Sequence, residues 1–173
     1  MQAVRDGDLG ALAILFERHH RPLFNYFVQV NGNRALSEDL VQDVFFRLLK
    51  YRQSYKSDRP FTAWMYQIAR NARVDSIAKR KREVGLGGQE FPSANLMDEN
   101  LKRKQELSLL RRAMDLLPLD KRELLVLSRF QNLKYEEIAS ILDCSVGAVK
   151  VRVYRAVQAL GQIYSELAGE RAS

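Results

Sequence analysis

Apolar residues recur along this chain at the roughly 3.6-residue spacing of helices, and the alternation that marks strands is nearly absent. Leu9, Leu12, Leu15 and Phe16 make a first stripe. Pro22 is expected to interrupt it, because proline removes a backbone donor and clashes with the preceding turn. A second short helix carries Phe24, Phe27 and Val28 and stops at Asn31-Gly32-Asn33. The next helix sets Leu36, Leu40, Val41, Val44, Leu48 and Leu49 on one face, with Glu38, Asp39, Gln42 and Asp43 elsewhere. After a polar loop from Tyr51 to Arg59, Pro60 suits a helix first turn, and Phe61, Trp64, Met65, Ile68, Ala69, Ala72 and Ile77 follow at helical spacing. That helix runs out into Lys79-Arg80-Lys81-Arg82. Further on, Leu107, Leu110, Met114 and Leu117 predict a helix stopped at Pro118. Asp120 with Glu123 resembles a capping box ahead of Leu124, Leu125, Leu127 and Phe130.

Between these two groups lies GLGGQEFPSANLMDEN, residues 85–100, which holds three of the nine glycines, a proline and no basic residue. This is linker composition. The expected organisation is therefore all-α: two small helical domains, 1–84 and 101–173, joined by a flexible linker at 85–100. Charge follows the same division. Residues 1–84 hold 15 basic and 9 acidic side chains, the linker holds 3 acids, and 101–173 hold 13 basic against 9 acidic, for a net +7. A polyanionic partner fits the surplus, although charge alone is a weak guide.

Several function classes drop out. No apolar run approaches the roughly 18 residues of a membrane span, so no membrane insertion is expected. The start MQAVRDGDLGALAIL lacks a basic n-region and a cleavage site, which argues against a secretory signal and for a cytoplasmic protein. Cys144 is the one cysteine and His19-His20 the two histidines, so neither a disulfide framework nor a zinc cluster is expected. No Ser/His/Asp arrangement or phosphate-cradling glycine loop is visible. The expectation is no catalytic residue, no metal and no cofactor. Asp75 sits among basic residues, where a salt link is a better account than catalysis.

One motif carries chemistry by itself. In YEEIASILDCSVGAVKVRVYRA, Ile138, Ala139 and Leu142 face inward from one helix and Val149 and Val153 from the next, so that the two can cross closely at Ala139. Asp143-Cys144-Ser145 is the tight connection, with Ser145 placed to cap a helix that begins at Val146 and runs toward Leu167. The second helix opens with small residues, Ser145, Gly147 and Ala148 around Val146, and shows Lys150, Arg152 and Arg155 on its other faces. Close approach to a major groove and contact with phosphates need that combination. Periodicity alone also permits a helical hairpin with a solvated basic face.

The longer stretch LPLDKRELLVLSRFQNLKYEEIASILDCSVGAVKVRVYRA resembles the promoter-binding C-terminal region of bacterial sigma factors of the extracytoplasmic-function (ECF) group, within the sigma-70 family. SEDLVQDVFFRLLKY resembles the helix these factors dock on the polymerase clamp, and FTAWMYQIARNARVDSIAKRKR their helix for recognising and melting the -10 element. Ala148 and Val151 stand where the family often has hydroxyl residues, and Ser145 where proline is common.

What the resemblance implies is a factor that binds core RNA polymerase and directs initiation at promoter DNA. Asp39, Leu40, Val41, Gln42, Asp43 and Phe46 would dock on polymerase, acids around apolar residues giving a polar rim to an apolar contact. The loop from Arg52 to Arg59 would receive a flipped base, for which Gln53, Ser54 and Tyr55 supply amide, hydroxyl and aromatic partners. Arg70, Asn71 and Arg73 would touch the adjacent strand, and Lys79, Arg80, Lys81 and Arg82 backbone phosphate. Trp64 fits the core better than a stacking platform. Ser145, Val146, Gly147, Ala148, Lys150, Arg152 and Arg155 would meet the -35 element. Glu90, Asp98 and Glu99 make the linker an acidic chain suited to a nucleic-acid channel, or a plain tether. An anti-sigma partner is implied as well. A stand-alone helix-turn-helix regulator is the alternative, and the first lobe argues against it, since a regulator needs no such helices.

Overall fold

The computed structural model describes the backbone of residues 1–84 and 101–170 and the side chains of residues 1–80 and 105–170; the linker with its three acids lies outside them. Every regular element among the described residues is helical. The chain divides into two compact units.

The first unit contains α1 (Gln2–Arg5), α2 (Gly10–Asn31), α3 (Arg34–Lys50), a 3-10 turn (Arg52–Ser54) and α4 (Phe61–Val84). Contrary to expectation, α2 runs unbroken through Pro22. Proline in a helix interior costs about 3 kcal/mol. Immediately after it Leu23, Tyr26, Phe27 and Val30 are completely buried. At about 1.5–3 kcal/mol for each large side chain, packing outweighs the missing hydrogen bond. The stripe foreseen before Pro22 is not fully buried anywhere: Leu12 and Leu15 are half-buried, and Leu9 is 61% and Phe16 39% exposed, the latter stacked on His20 and edge-on to Phe45. Gly32 ends α2 in the left-handed region at φ 69, its amide donating to the Val28 carbonyl. Asn33 caps α3, its Oδ1 accepting from the Leu36 amide at 2.9 Å. Helix α3 buries Leu36, Leu40, Val41, Val44, Phe45 and Leu48, and packs on α4, which buries Ala63, Met65, Tyr66, Ile68, Ala69 and Ala72.

The second unit contains α5 (Leu101–Leu116), α6 (Leu119–Leu125), a π turn (Val126–Phe130), α7 (Tyr135–Leu142) up to Ala139, and α8 (Val146–Glu170). Helix α5 buries Leu109, Ala113 and Met114, with Leu117 just beyond its end, rather than the expected line through Leu107 and Leu110. Its seam with the distal half of α8 is Leu109 and Ala113 against Leu167, flanked by Leu160, Ile163 and Tyr164. No capping box forms at Asp120. Pro118 is the N-cap, its carbonyl accepting from the Lys121 and Arg122 amides, Asp120 sits in the first turn, and Glu123 is buried. The π turn, closed by the Gln131 amide on the Val126 carbonyl at 2.9 Å, shifts the helical register, so Phe130 turns outward instead of joining Leu124, Leu125 and Leu127.

Candidate nucleic-acid interface

In the second unit the sequence makes a short helix, a sharp turn and a long capped helix. Ile138, Ala139 and Ile141 are buried on α7, where Leu142 is only half-buried. Asp143 adopts φ 49, a left-handed conformation that aspartate tolerates better than most side chains. The Cys144 amide donates to the Ala139 carbonyl at 3.0 Å, closing the turn. Ser145 Oγ accepts from the Ala148 amide at 3.1 Å and so caps α8. Val149, Val153 and Ala156 anchor α8 inward. Lys150, Arg152 and Arg155 are exposed, as are Ser145 and Gly147, whereas Val146 and Ala148 are half-buried.

At about 100° per residue, Lys150 and Arg152 flank α8 on opposite sides. The centre of the outward face belongs to Val151 and Tyr154, 50% and 65% exposed. Tyr154 was not singled out from sequence, and Val151 was noted only as a departure from the family's hydroxyl residues. The inward Val149 and Val153 already placed both residues opposite.

The first unit brings some of the expected residues together and removes others. Gln53 and Ser54 are exposed on the 3-10 turn; Gln53 Nε2 donates to the Arg5 carbonyl at 2.9 Å and Ser54 Oγ to the Tyr51 carbonyl at 2.7 Å. Tyr55 is only 8% exposed, packed against Phe61 and Trp64, so it floors the loop instead of presenting a free ring. Trp64 is half-buried in that aromatic cluster. On α4, Asn71 and Lys79 are exposed and Arg70 and Arg80 half-buried. Arg73 is 4% exposed, and its burial excludes the expected strand contact. The side chains of Lys81 and Arg82 lie outside the described residues.

On α3 the exposed stripe is Asp39, Gln42 and Phe46, the last 64% exposed, with Asp43 beside it. Leu40 and Val41, 3% and 7% exposed, point into the core and are withdrawn from any docking surface. Asp43 is held by Arg47, which also reaches Asp75 on α4, the salt link expected of that acid.

The model of sigma-70 region 2 matches residues 15–83, and that of sigma-70 region 4 matches residues 107–160. RNA polymerase sigma factor CarQ of Myxococcus xanthus is 30% identical over 173 residues, covering 96% of this chain and 97% of the relative. The chain belongs to the ECF group of the sigma-70 family. ECF sigma factor EcfG of Rhodopseudomonas palustris is 32% identical over 131 residues, 76% of this sigma factor and 72% of the relative. The ECF sigma-E factor of Escherichia coli is 28% identical over 172 residues, 92% and 90% of the two chains. Among solved structures, the sigma factor RpoE in complex with the anti-sigma factor NepR from Bartonella quintana superposes with a TM-score of 0.73 at 24% identity, covering 91% of this chain and 98% of that one. CnrH in complex with the cytosolic domain of CnrY gives 0.72 at 24% identity, covering 95% and 94%. Both carry the fold. Two regions in this order in one chain disfavour a stand-alone regulator, and the sigma factor directs RNA polymerase to promoters.

Proposed function

We propose that the sigma factor divides initiation among three surfaces. Residues 1–84 form a region 2 domain in which Asp39, Gln42 and Phe46, supported by Asp43, dock on core polymerase. An exposed aromatic rimmed by acids suits a partner helix with apolar and basic side chains. In the same domain the loop floored by Tyr55 takes an unstacked base of the -10 element against Gln53 and Ser54, while Arg70, Asn71, Lys79 and Arg80 meet the strand. Residues 101–173 form a region 4 domain, and its capped helix α8 enters the -35 major groove. Lys150, Arg152 and Arg155 bind phosphate there, and Val151 and Tyr154 face the base edges. Residues 85–100 join the domains as an acidic linker.

The observation that carries this reading is α8 itself. A helix start capped by Ser145 lies behind a left-handed turn, and its outward face is basic at the flanks and apolar at the centre. The sigma factor then acts in the cytoplasm with template and polymerase, performs no bond chemistry itself and needs no cofactor. The structural relatives solved with NepR and CnrY support an anti-sigma partner for this factor too. Run-off transcription with core polymerase on genomic fragments tests the whole reading. Promoter-specific transcripts are expected, and failure of the intact factor to bind core polymerase overturns it.

A further inference from the structure

The outward face of α8 carries a narrow strip with a chemistry of its own. Burial of Val149, Val153 and Ala156 fixes the inward direction. At about 100° per residue, the opposite strip over the first turns of the helix runs through Gly147, Val151 and Tyr154. Gly147 is not in the left-handed region, and a Cβ there would meet only Ser145 Oγ, at 3.9 Å. The start of the strip is therefore bare for close approach, and Val151 is its first side chain.

The charged side chains of these turns stand to either side of the strip. Arg152 Nη1 lies 3.9 Å from Cys144 Sγ, so its guanidinium leans back over the turn before α8. Lys150 is on the other flank, and Arg155 borders Tyr154. From Ser145 to Arg155 there is no Asn or Gln, the side chains that read adenine, and no Asp or Glu to read cytosine. Val151 stands where the family often has a hydroxyl, which can bond to several base edges, whereas valine can bond to none. In the major groove one base offers an apolar partner: thymine, through its C5-methyl. A valine in a helix keeps one favoured χ1, so its own methyls point in a fixed direction. Tyr154 follows about 4.5 Å further along the axis, close to the roughly 3.4 Å step between bases. The basic flanks complement the phosphates on the two walls of the same groove.

We infer that Val151 and Tyr154 select thymine in the -35 element, by apolar contact with its C5-methyl at one or two adjacent base pairs. This rests on the placement of α8 in the groove proposed above and names what its central strip reads.

The test perturbs the DNA and so leaves the fold of the factor untouched. Duplex -35 fragments of a promoter found by run-off transcription carry deoxyuridine in place of each thymine in turn, which deletes the methyl and keeps every hydrogen-bonding group. Fluorescence anisotropy with the full chain and core polymerase reads the affinity. At one or two adjacent positions deoxyuridine should weaken binding about fourfold, the worth of one buried methyl, and 5-methylcytosine there should bind about fourfold tighter than cytosine. Val151→Ser and Tyr154→Ser, both at exposed positions outside the buried seam, should abolish the thymine preference at the position each residue meets. Equal affinity for thymine and deoxyuridine at every position overturns the inference. So does a preference that persists in both variants, as altered DNA stiffness alone would produce, and so does a -35 element with no thymine on either strand. These results leave α8 in the groove as long as the salt slope of binding depends on Lys150, Arg152 and Arg155; a slope indifferent to all three refutes the proposed docking of α8 itself.

Discussion

Replacing Lys150, Arg152 and Arg155 together by alanine should flatten the salt dependence of promoter binding by an amount that the structure sets in advance. All three side chains are exposed on α8, whose packing rests on the buried Val149, Val153 and Ala156, so the helix survives the change. Abolishing one phosphate interaction takes about 0.9 from the slope of log K against log salt, and abolishing three takes about 2.7. Between about 50 and 200 mM salt, a slope of that size corresponds to a roughly 40-fold change in affinity. The wild-type complex should therefore weaken about 40-fold more than the variant over this range. Fluorescence anisotropy of the factor with core polymerase on a duplex -35 fragment reads both slopes. Phosphate interactions elsewhere in the complex cancel in the difference. Single variants then separate roles: a phosphate-binding side chain changes the slope on every sequence, whereas a base-reading one changes discrimination at one position. A triple variant with intact helicity and an unaltered slope would return these side chains to a merely solvated face.

Ser145→Ala removes the cap on α8 and should destabilise the second unit by about 1 kcal/mol, measured by denaturant titration; no change would mean the 3.1 Å bond contributes nothing. Asp39→Lys should weaken core-polymerase binding while leaving thermal stability unchanged. It is a cleaner probe than Asp43, whose reversal also breaks the pair with Arg47. Burial, and then repulsion by Arg18, hold the His19 pKa below its ordinary value, so the unfolded chain takes up the proton first. Its contribution to stability is complete above about pH 6.5 and is lost as pH falls through that value toward the lowered one; His19→Gln should flatten this part of the stability profile.

Helix type and several helix ends were legible in the sequence, because the helices repeat their apolar positions and stop at recognisable signals such as Gly32 or Pro118, whereas α1 was not foreseen and α2 was read as two helices. What sequence misjudged was the competition between local rules and packing. Pro22 breaks a helix when little else holds it, and the four buried side chains from Leu23 to Val30 reverse that balance. The α5 segment LSLLRRAMDLL offers more than one leucine line at helical spacing, and only the facing residues of α8 select Leu109 over Leu107 and Leu110. Phe130 follows from a π turn, which leaves no periodic trace.

At the candidate interface the sequence indicates residue types more than directions. Arg73 lies one turn from Ala69, on a line that helical periodicity marks as inward, so its burial was available to a reader who let period overrule charge. The same rule withdraws Leu40 and Val41 and brings forward Val151 and Tyr154. Arg47 marks where such rules end. Its pairing with Asp43 follows from the i,i+4 spacing, but its bond to Asp75, 28 residues away, exists only because α4 packs against α3. Packing between helices thus decides which charges meet. The α3 face that carries Asp43 and the α4 face that carries Asp75 are joined through Arg47 within the first unit.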